Sequence, residues 1–261
     1  MPDLHLRNRG FQWRASAGPY ERLSPAQAAQ YDEQGFFLLE GAFTPDEMDA
    51  VAEAVEPHER AGEAWLRRQK GGRHVISKAD AITFTIHLVA RCEALRAFSR
   101  HPVFQGICRD TLGPGVRLYW DQAVYKKPGN PEEFPWHQDN GYTYIEPQQY
   151  LTCWVALNDA TLENGCPWVA PRLHRLGTLS HEVTRLGLKC LSEPEGAVAV
   201  PARKGDIVVF SSLTPHRTGA NLTGETRKAY ILQYAPDGAM AWRGGEAPAP
   251  QNDADRQYLV A

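Results

Sequence analysis

"GDIVVFSSLTPHRTGANLTGETRKAYILQYA", residues 205–235, carries the fold in its texture. Two runs of β-branched and aromatic residues, "DIVVFSSL" and "RKAYILQYA", flank a segment of Thr, Pro, Gly and Asn, which reads as strand, turn, strand. Outward from it, the same texture reaches back to Gly115 through "VRLYWDQAVYKK", "FPWHQDN" and "YLTCWVALND". Short strands broken by Pro, Gly and Asn predict a sandwich, jelly roll or barrel. Further upstream the texture is helical. Ser24 before Pro25 with Gln27, and Thr44 before Pro45 with Glu47, are two capping boxes with proline in the first turn. Gly35 is placed to close the first helix, "FFLLE" follows as a short buried strand, and "HPVFQGICRDTLG" resumes helical spacing as far as Gly113. The expectation is a mainly β protein with flanking α, one domain over 1–261. Its helical N-terminal part covers about 20–113, its β part about 114–236, and the polar C-terminal tail "GGEAPAPQNDADRQYLVA" is expected to be loosely held. Residues 57–80, "PHERAGEAWLRRQKGGRHVISKAD", show charge around Gly-Gly without a sustained period, which predicts a mobile surface segment or lid.

With 261 residues and 43% hydrophobic side chains the chain can build one large core. A net charge of −3, with Lys and Arg scattered, offers no electrostatic reason to bind nucleic acid or an anionic membrane. The expected partner is a small molecule, and the expected state a monomer or small homo-oligomer. Cys92, Cys108, Cys153, Cys166 and Cys190 are odd in number and lack a CxxC pair, so free thiols are expected. The N-terminus has no apolar signal-like run and no segment approaches 18 apolar residues, which points to a cytoplasmic protein.

In "EFPWHQDNGYTYIE", residues 133–146, strand alternation would aim His137 and Asp139 to one side. His-x-Asp is common by chance, and alone a polar pair at a strand end accounts for it more often than a metal site. A third ligand must come from elsewhere. His87 lies in an apolar run, while His5, His58, His74, His101 and His181 occupy polar or cap-like contexts, leaving His174 and His216. His216 is the better candidate, because alternation from "DIVVFSSLTP" would put Phe210, Ser212, Thr214, His216 and Thr218 on one face. Two imidazoles and one carboxylate form the facial triad that leaves adjacent positions open on Fe(II), as O2 activation requires. A 2-oxoglutarate cosubstrate filling two of those positions needs a fixed cation for its distal carboxylate. Arg227 follows His216 by eleven residues across a turn between strands; Arg185 follows His174 by the same interval, but without paired-strand context.

The ordered elements "YDEQGFFLLEGAFTPDEM", "QAVYKKPG", "PWHQD", "LTCWVALNDATLENGCPWVAPRLH" and "KGDIVVFSSLTPHRTGANLTGETR" span roughly residues 30–235. In them the chain resembles the phytanoyl-CoA dioxygenase-like family of Fe(II)/2-oxoglutarate-dependent oxygenases. The resemblance implies a double-stranded β-helix (jelly-roll, cupin-like) core behind N-terminal helices. It implies His137, Asp139 and His216 as iron ligands, Arg227 with Thr218 as the clamp on 2-oxoglutarate, and Gln122 facing the cosubstrate or substrate. "PRLH" stands where relatives carry a Pro-Gly-Ser-His turn, supporting His174 as a non-ligand; Arg172 and Leu173 depart from that pattern. Asp139 favours hydroxylation, since halogenating relatives have a small residue there. The implied reaction hydroxylates an unactivated C–H of a metabolite, with release of succinate and CO2. Trp136, Asn140 and Tyr142, then Arg73, Lys78 and Lys126, are candidate substrate contacts, and the cations suggest a small polar or anionic substrate. The competing readings are a catalytically silent metal-binding jelly roll and a zinc hydrolase, for which His-Asp-His is also suitable but the arginine clamp is not needed.

Overall fold

The structure, a computed structural model, describes residues 2–261. Helix α1 (Pro25–Gln34) leads into strand β1 (Phe36–Leu39), and α2 (Pro45–Arg67) into β2 (Arg73–His74), β3 (Ser77–Lys78) and β4 (Ile82–Ile86). Helices α3 (Glu93–Phe98) and α4 (Pro102–Leu112) precede the long β5 (Val116–Lys126). Strand β6 (Phe134–His137) runs into a single helical turn, α5 (Asp139–Tyr142), then β7 (Tyr144–Glu146), β8 (Leu151–Ala156) and β9 (Pro167–Val169). A hairpin of β10 (Glu182–Thr184) and β11 (Gly187–Lys189) and the short β12 (Val198–Ala199) lead to β13 (Ile207–Ser211) and β14 (His216–Thr218). The long β15 (Arg227–Pro236), β16 (Met240–Trp242) and β17 (Ala249–Pro250) complete the order.

Eight strands form one antiparallel sheet in the order β1-β13-β8-β15-β5-β4-β3-β2, and β12-β9-β14-β6 form a second sheet of four. Period-2 alternation assigns the faces of the large sheet. Cys153, Val155, Val209, Tyr230 and Leu232 pack under the helices with Tyr31, Met48, Val55 and Phe104. The opposite set, Trp154, Val208, Phe210, Ala229 and Ile231, packs with Val169 of the small sheet. This is the jelly-roll core with N-terminal helices that the sequence predicts. Both capping boxes form as read: Ser24 with Gln27 and Thr44 with Glu47, each with proline at the helix start. Gly35 is left-handed at φ 86°. The cysteines are free thiols, and among the described residues no helix is long and apolar enough to cross a membrane.

Three expectations are corrected. Residues 57–67 are not a lid but the second half of α2, which continues through Pro57. The buried stripe Met48, Val51, Val55, Glu59, Glu63, Leu66 keeps helical spacing, but two of its members are glutamates, so the period is invisible to a count of apolar residues. Glu59 accepts from Thr83 and pairs with Lys127, and Glu63 Oε1 accepts from the Asp80 N–H and faces Arg67 at 3.2 Å, while Glu63 Oε2 has no partner. The part before residue 113 is not helical alone: besides β1, the strand read in "FFLLE", it supplies β4, and both are built into the large sheet beside β13 and β5. Nor is the tail loose at its end. Tyr258 and Val260 are buried, and their backbones bond to Leu118 and Val116 at the start of β5.

Candidate metal centre

His137 ends β6 and His216 begins β14, and their Cα positions face each other across that ladder. Gln138 is extended at φ −108°, ψ 143°, so alternation survives one residue past the strand and aims Asp139 beside His137 before α5 turns. The donor atoms of His137, Asp139 and His216 lie within 4.8 Å of one another, and among the described residues no other three such side chains do.

The tautomers follow from the second ring nitrogens. His137 Nδ1 donates to the Pro135 carbonyl (2.8 Å) and His216 Nδ1 to the Thr214 carbonyl (3.0 Å), so each Nε2 keeps its lone pair for the centre. Burial, reinforced at His137 by His216, holds His137 down at about 3, and burial holds His216 at about 4. Both rings are neutral. Their Nε2 distances of 3.9 and 3.7 Å to Asp139 Oδ1 are therefore not ion pairs but spacings that a shared cation could bridge. Burial also raises the Asp139 carboxyl above its ordinary range, as for a carboxylate that wants a cation. Two buried imidazole nitrogens and a mostly buried hard oxygen, converging on one point, fit Fe(II).

Beneath Asp139, Thr152 Oγ1 donates to Oδ2 at 2.6 Å, and Gln233 Nε2 donates to Thr152 Oγ1 at 3.5 Å. These two stand opposite each other in the β8–β15 ladder. Sequence reasoning missed both, although alternation counted from Arg227 puts Ala229, Ile231 and Gln233 on one face. His181 was missed too. Its Nε2 accepts the Gln138 N–H (3.0 Å) while Nδ1 donates to the Leu179 carbonyl (2.9 Å), bracing the backbone between the two candidate ligands. Gly141 makes room for that ring, since a Cβ there would come within 2.2 Å of it. The Asn-Gly of "HQDNG" thus lies in α5 rather than in a hairpin turn.

Arg227 begins β15 and is fully buried. Nη1 donates weakly to the Val124 carbonyl (3.4 Å), Nε and Nη2 have no partner, and the Trp154 ring lies 5.2 Å from the guanidinium. Burial lowers it to about 10, which leaves it charged at neutral pH. No carboxylate among the described residues pairs with it. Directly across the ladder is Lys126, whose Nζ donates to the backbone carbonyls of Glu132 (3.1 Å) and Gly219. Burial, then Arg227, holds this amine down to about 7.

A cavity of about 430 Å³ opens above the triad, and Thr218, Arg227, Gln122 and Tyr142 all line it. Tyr142 is edge-on to His137 at 5.4 Å. The other candidate contacts do not line it. Trp136 packs 5.5 Å from the Arg217 guanidinium, and Asn140 is a buried brace that donates to Thr178 Oγ1 (2.6 Å) and accepts the Ile145 N–H (2.8 Å). Arg73 faces Glu132 at 3.9 Å, Lys78 alternates away from Ser77, and Lys126 is spent on carbonyls. Alternation through "FSSLTPH" also fails, because β13 ends at Ser211 and Ser212 and Thr214 turn aside to donate to the Gln148 and Gly35 carbonyls. His174 lies elsewhere, edge-on to Trp13 at 4.4 Å with Nε2 donating to the Asp32 carbonyl (3.2 Å).

The family model described as phytanoyl-CoA dioxygenase (PhyH) matches residues 31–229. Phytanoyl-CoA dioxygenase domain-containing protein 1 of Rattus norvegicus is 27% identical over 282 aligned residues, covering 88% of this chain and 96% of that protein. Methylphosphonate hydroxylase of Gimesia maris is 32% identical over 221 residues, 81% of this chain and 80% of that one. In fold the chain is similar to the non-heme alpha ketoglutarate dependent carbocyclase SnoK from nogalamycin biosynthesis, with a TM-score of 0.76, 23% identity and coverage of 94% and 100%. A family match spanning most of the sequence, over the jelly roll that carries this triad, establishes that the chain belongs to the phytanoyl-CoA dioxygenase family of Fe(II)/2-oxoglutarate-dependent oxygenases.

Proposed function

We propose that this oxygenase hydroxylates an unactivated C–H bond of a small-molecule metabolite, converting 2-oxoglutarate and O2 to succinate and CO2. One oxygen atom enters succinate and the other the product. In this reading His137, Asp139 and His216 hold the iron, and Arg227, assisted by Thr218, holds the distal carboxylate of 2-oxoglutarate. The bound iron supplies the redox chemistry that couples decarboxylation of the cosubstrate to oxidation of the substrate. The protein's part is positional. The carbonyls of Pro135 and Thr214 fix the imidazole tautomers, Thr152 fixes the carboxylate rotamer, and the buried wall around them excludes water. Gln122, on the same wall, faces the cosubstrate or the substrate.

The observation that carries the reading is Arg227, a buried cation with unpartnered Nε and Nη2 that opens on the same cavity as the triad. Burying an unpaired charge costs several kcal/mol unless an anion answers it. A silent metal site or a zinc hydrolase has no use for that cation. Anaerobic protein loaded with Fe(II) is expected to develop a visible charge-transfer band on addition of 2-oxoglutarate, and aerobic turnover to release succinate. Iron-loaded protein that develops no band would sink the proposal.

A further inference from the structure

The cavity wall is chemically one-sided. Among its lining residues Arg227 is the only lysine or arginine and Asp139 the only acid, and both stand at the base with the triad. Higher up, Ile76, Ile82, Phe84, Ile86, Trp120 and Phe134 supply the surface. The rim continues this character: Val75, Ile86 and Tyr142 line the cavity and are 74%, 40% and 40% exposed. Exposed apolar groups gathered around an opening mark a binding surface more than scattered ones do.

Three arginines near the rim already face an acid. Glu132 is shared by Arg73 (3.9 Å) and Arg185 (2.6 Å), and Arg217 pairs with Glu133. The Lys126 amine is bonded to the Glu132 and Gly219 carbonyls. Once Arg227 is answered by 2-oxoglutarate, a carboxylate or phosphate entering this space would lose its hydration with no lysine or arginine on the wall to meet it and only the His74 imidazole at the rim, and an ammonium would meet no acid above Asp139. Neutral polar groups do face inward. Gln122 lines the cavity, as do Tyr119 and Tyr150, which stand edge to face at 5.3 Å. These suit hydroxyl, ether or carbonyl oxygens.

Building on the oxygenase reading, we infer that the substrate is an uncharged, largely hydrocarbon molecule whose polar atoms are hydroxyls, ethers or carbonyls. This replaces the polar or anionic metabolite suggested by the positions of Arg73, Lys78 and Lys126 in the sequence.

The test uses three probes on one ring skeleton: α-tetralone, tetralin-1-carboxylate and 1-aminotetralin, which are neutral, anionic and cationic at neutral pH. The Fe(II) protein is first titrated anaerobically with 2-oxoglutarate, then, at saturation, with each probe by calorimetry. α-Tetralone is expected to bind at least 10-fold more tightly than either charged analogue. Ile86→Lys adds a cation at the solvent-accessible rim, in register with Gln122, and is expected to narrow or reverse the preference for tetralone over the carboxylate. Val75→Lys, at a more exposed position, is expected to act in the same direction should the first variant fold poorly. A charged analogue that binds as tightly as tetralone would overturn the inference while leaving the oxygenase reading intact. So would silence of all three probes on protein that binds 2-oxoglutarate, or a preference unchanged in a folded variant. Failure to bind 2-oxoglutarate at all would overturn both.

Discussion

His216 and His174 invite comparison because a sequence treats them almost alike. Each is buried, each has one ring nitrogen bonded to a backbone carbonyl, each is held at about 4 by burial, and each precedes an arginine by eleven residues. The difference lies in what the other nitrogen faces. His216 Nε2 looks across 3.7 Å at the mostly buried Asp139 carboxylate, with a second imidazole 4.2 Å away. His174 Nδ1 looks at Gly35 and Trp13 and has no partner. The arginines diverge likewise: Arg227 begins a central strand and points inward, whereas Arg185 lies in the β10–β11 hairpin and pairs with Glu132 at the surface. Burial makes a histidine neutral. Only its neighbours make it a ligand.

The largest test of this contrast is iron binding. His216→Ala and Asp139→Ala are expected to lose Fe(II) affinity by at least about 10³-fold, as loss of a ligand from a three-residue site implies, while His174→Ala keeps it. Anaerobic iron titration decides, and retention of iron by His216→Ala with loss in His174→Ala would reverse the assignment. Next in size is the arginine pair. Arg227→Met is expected to weaken 2-oxoglutarate binding roughly 10²–10³-fold, the measure of a buried charge pair losing one partner. The same change relieves an unpaired buried charge, so urea unfolding of the metal-free variant should show stability unchanged or raised by about 1–3 kcal/mol. Arg185→Gln should move neither number.

A smaller effect joins the two histidines through Gly35. A Cβ there would lie 2.5 Å from both His174 Nδ1 and Thr214 Oγ1, at a left-handed φ. Gly35→Ala should cost about 2–3 kcal/mol by denaturant midpoint, from the strained backbone and the displaced neighbours. The smallest is a pH effect. The pKa of His174 falls on folding from its ordinary 6.5 to about 4. The stability its neutral ring contributes is complete above 6.5 and is lost as pH drops through 4. Between pH 7 and 4.5 the wild type should lose about 2 kcal/mol more than His174→Gln. Equal losses would show that the ring does not titrate in this window.

Local signals were read well because their physics is local. The capping boxes at Ser24 and Thr44 and the left-handed Gly35 need only the residues beside them. The candidate triad was legible because a short motif and a strand-turn-strand pattern each placed part of it. Hidden features are those that depend on distant partners. The α2 stripe is obscured by Glu59 and Glu63, which are burial-competent only because Thr83, Lys127 and Asp80 come to meet them. Thr152 and Gln233 acquire meaning only when β8 and β15 pair across about eighty residues of sequence. Arg73 and Lys78 fall in the segment expected to form a lid, whereas Glu132 and strand alternation turn them away from the cavity.

The triad is also a seam. His137 and His216 belong to the small sheet, yet the Thr152 hydroxyl that holds Asp139 comes from the centre of the large one. A filled site would rivet the two layers, and their spacing in turn sets the reach between Asp139 and the imidazoles. Substitutions in the filling between the layers, at Val169 or Ala229, would therefore detune the site by changing the gap it bridges, without touching any atom of it.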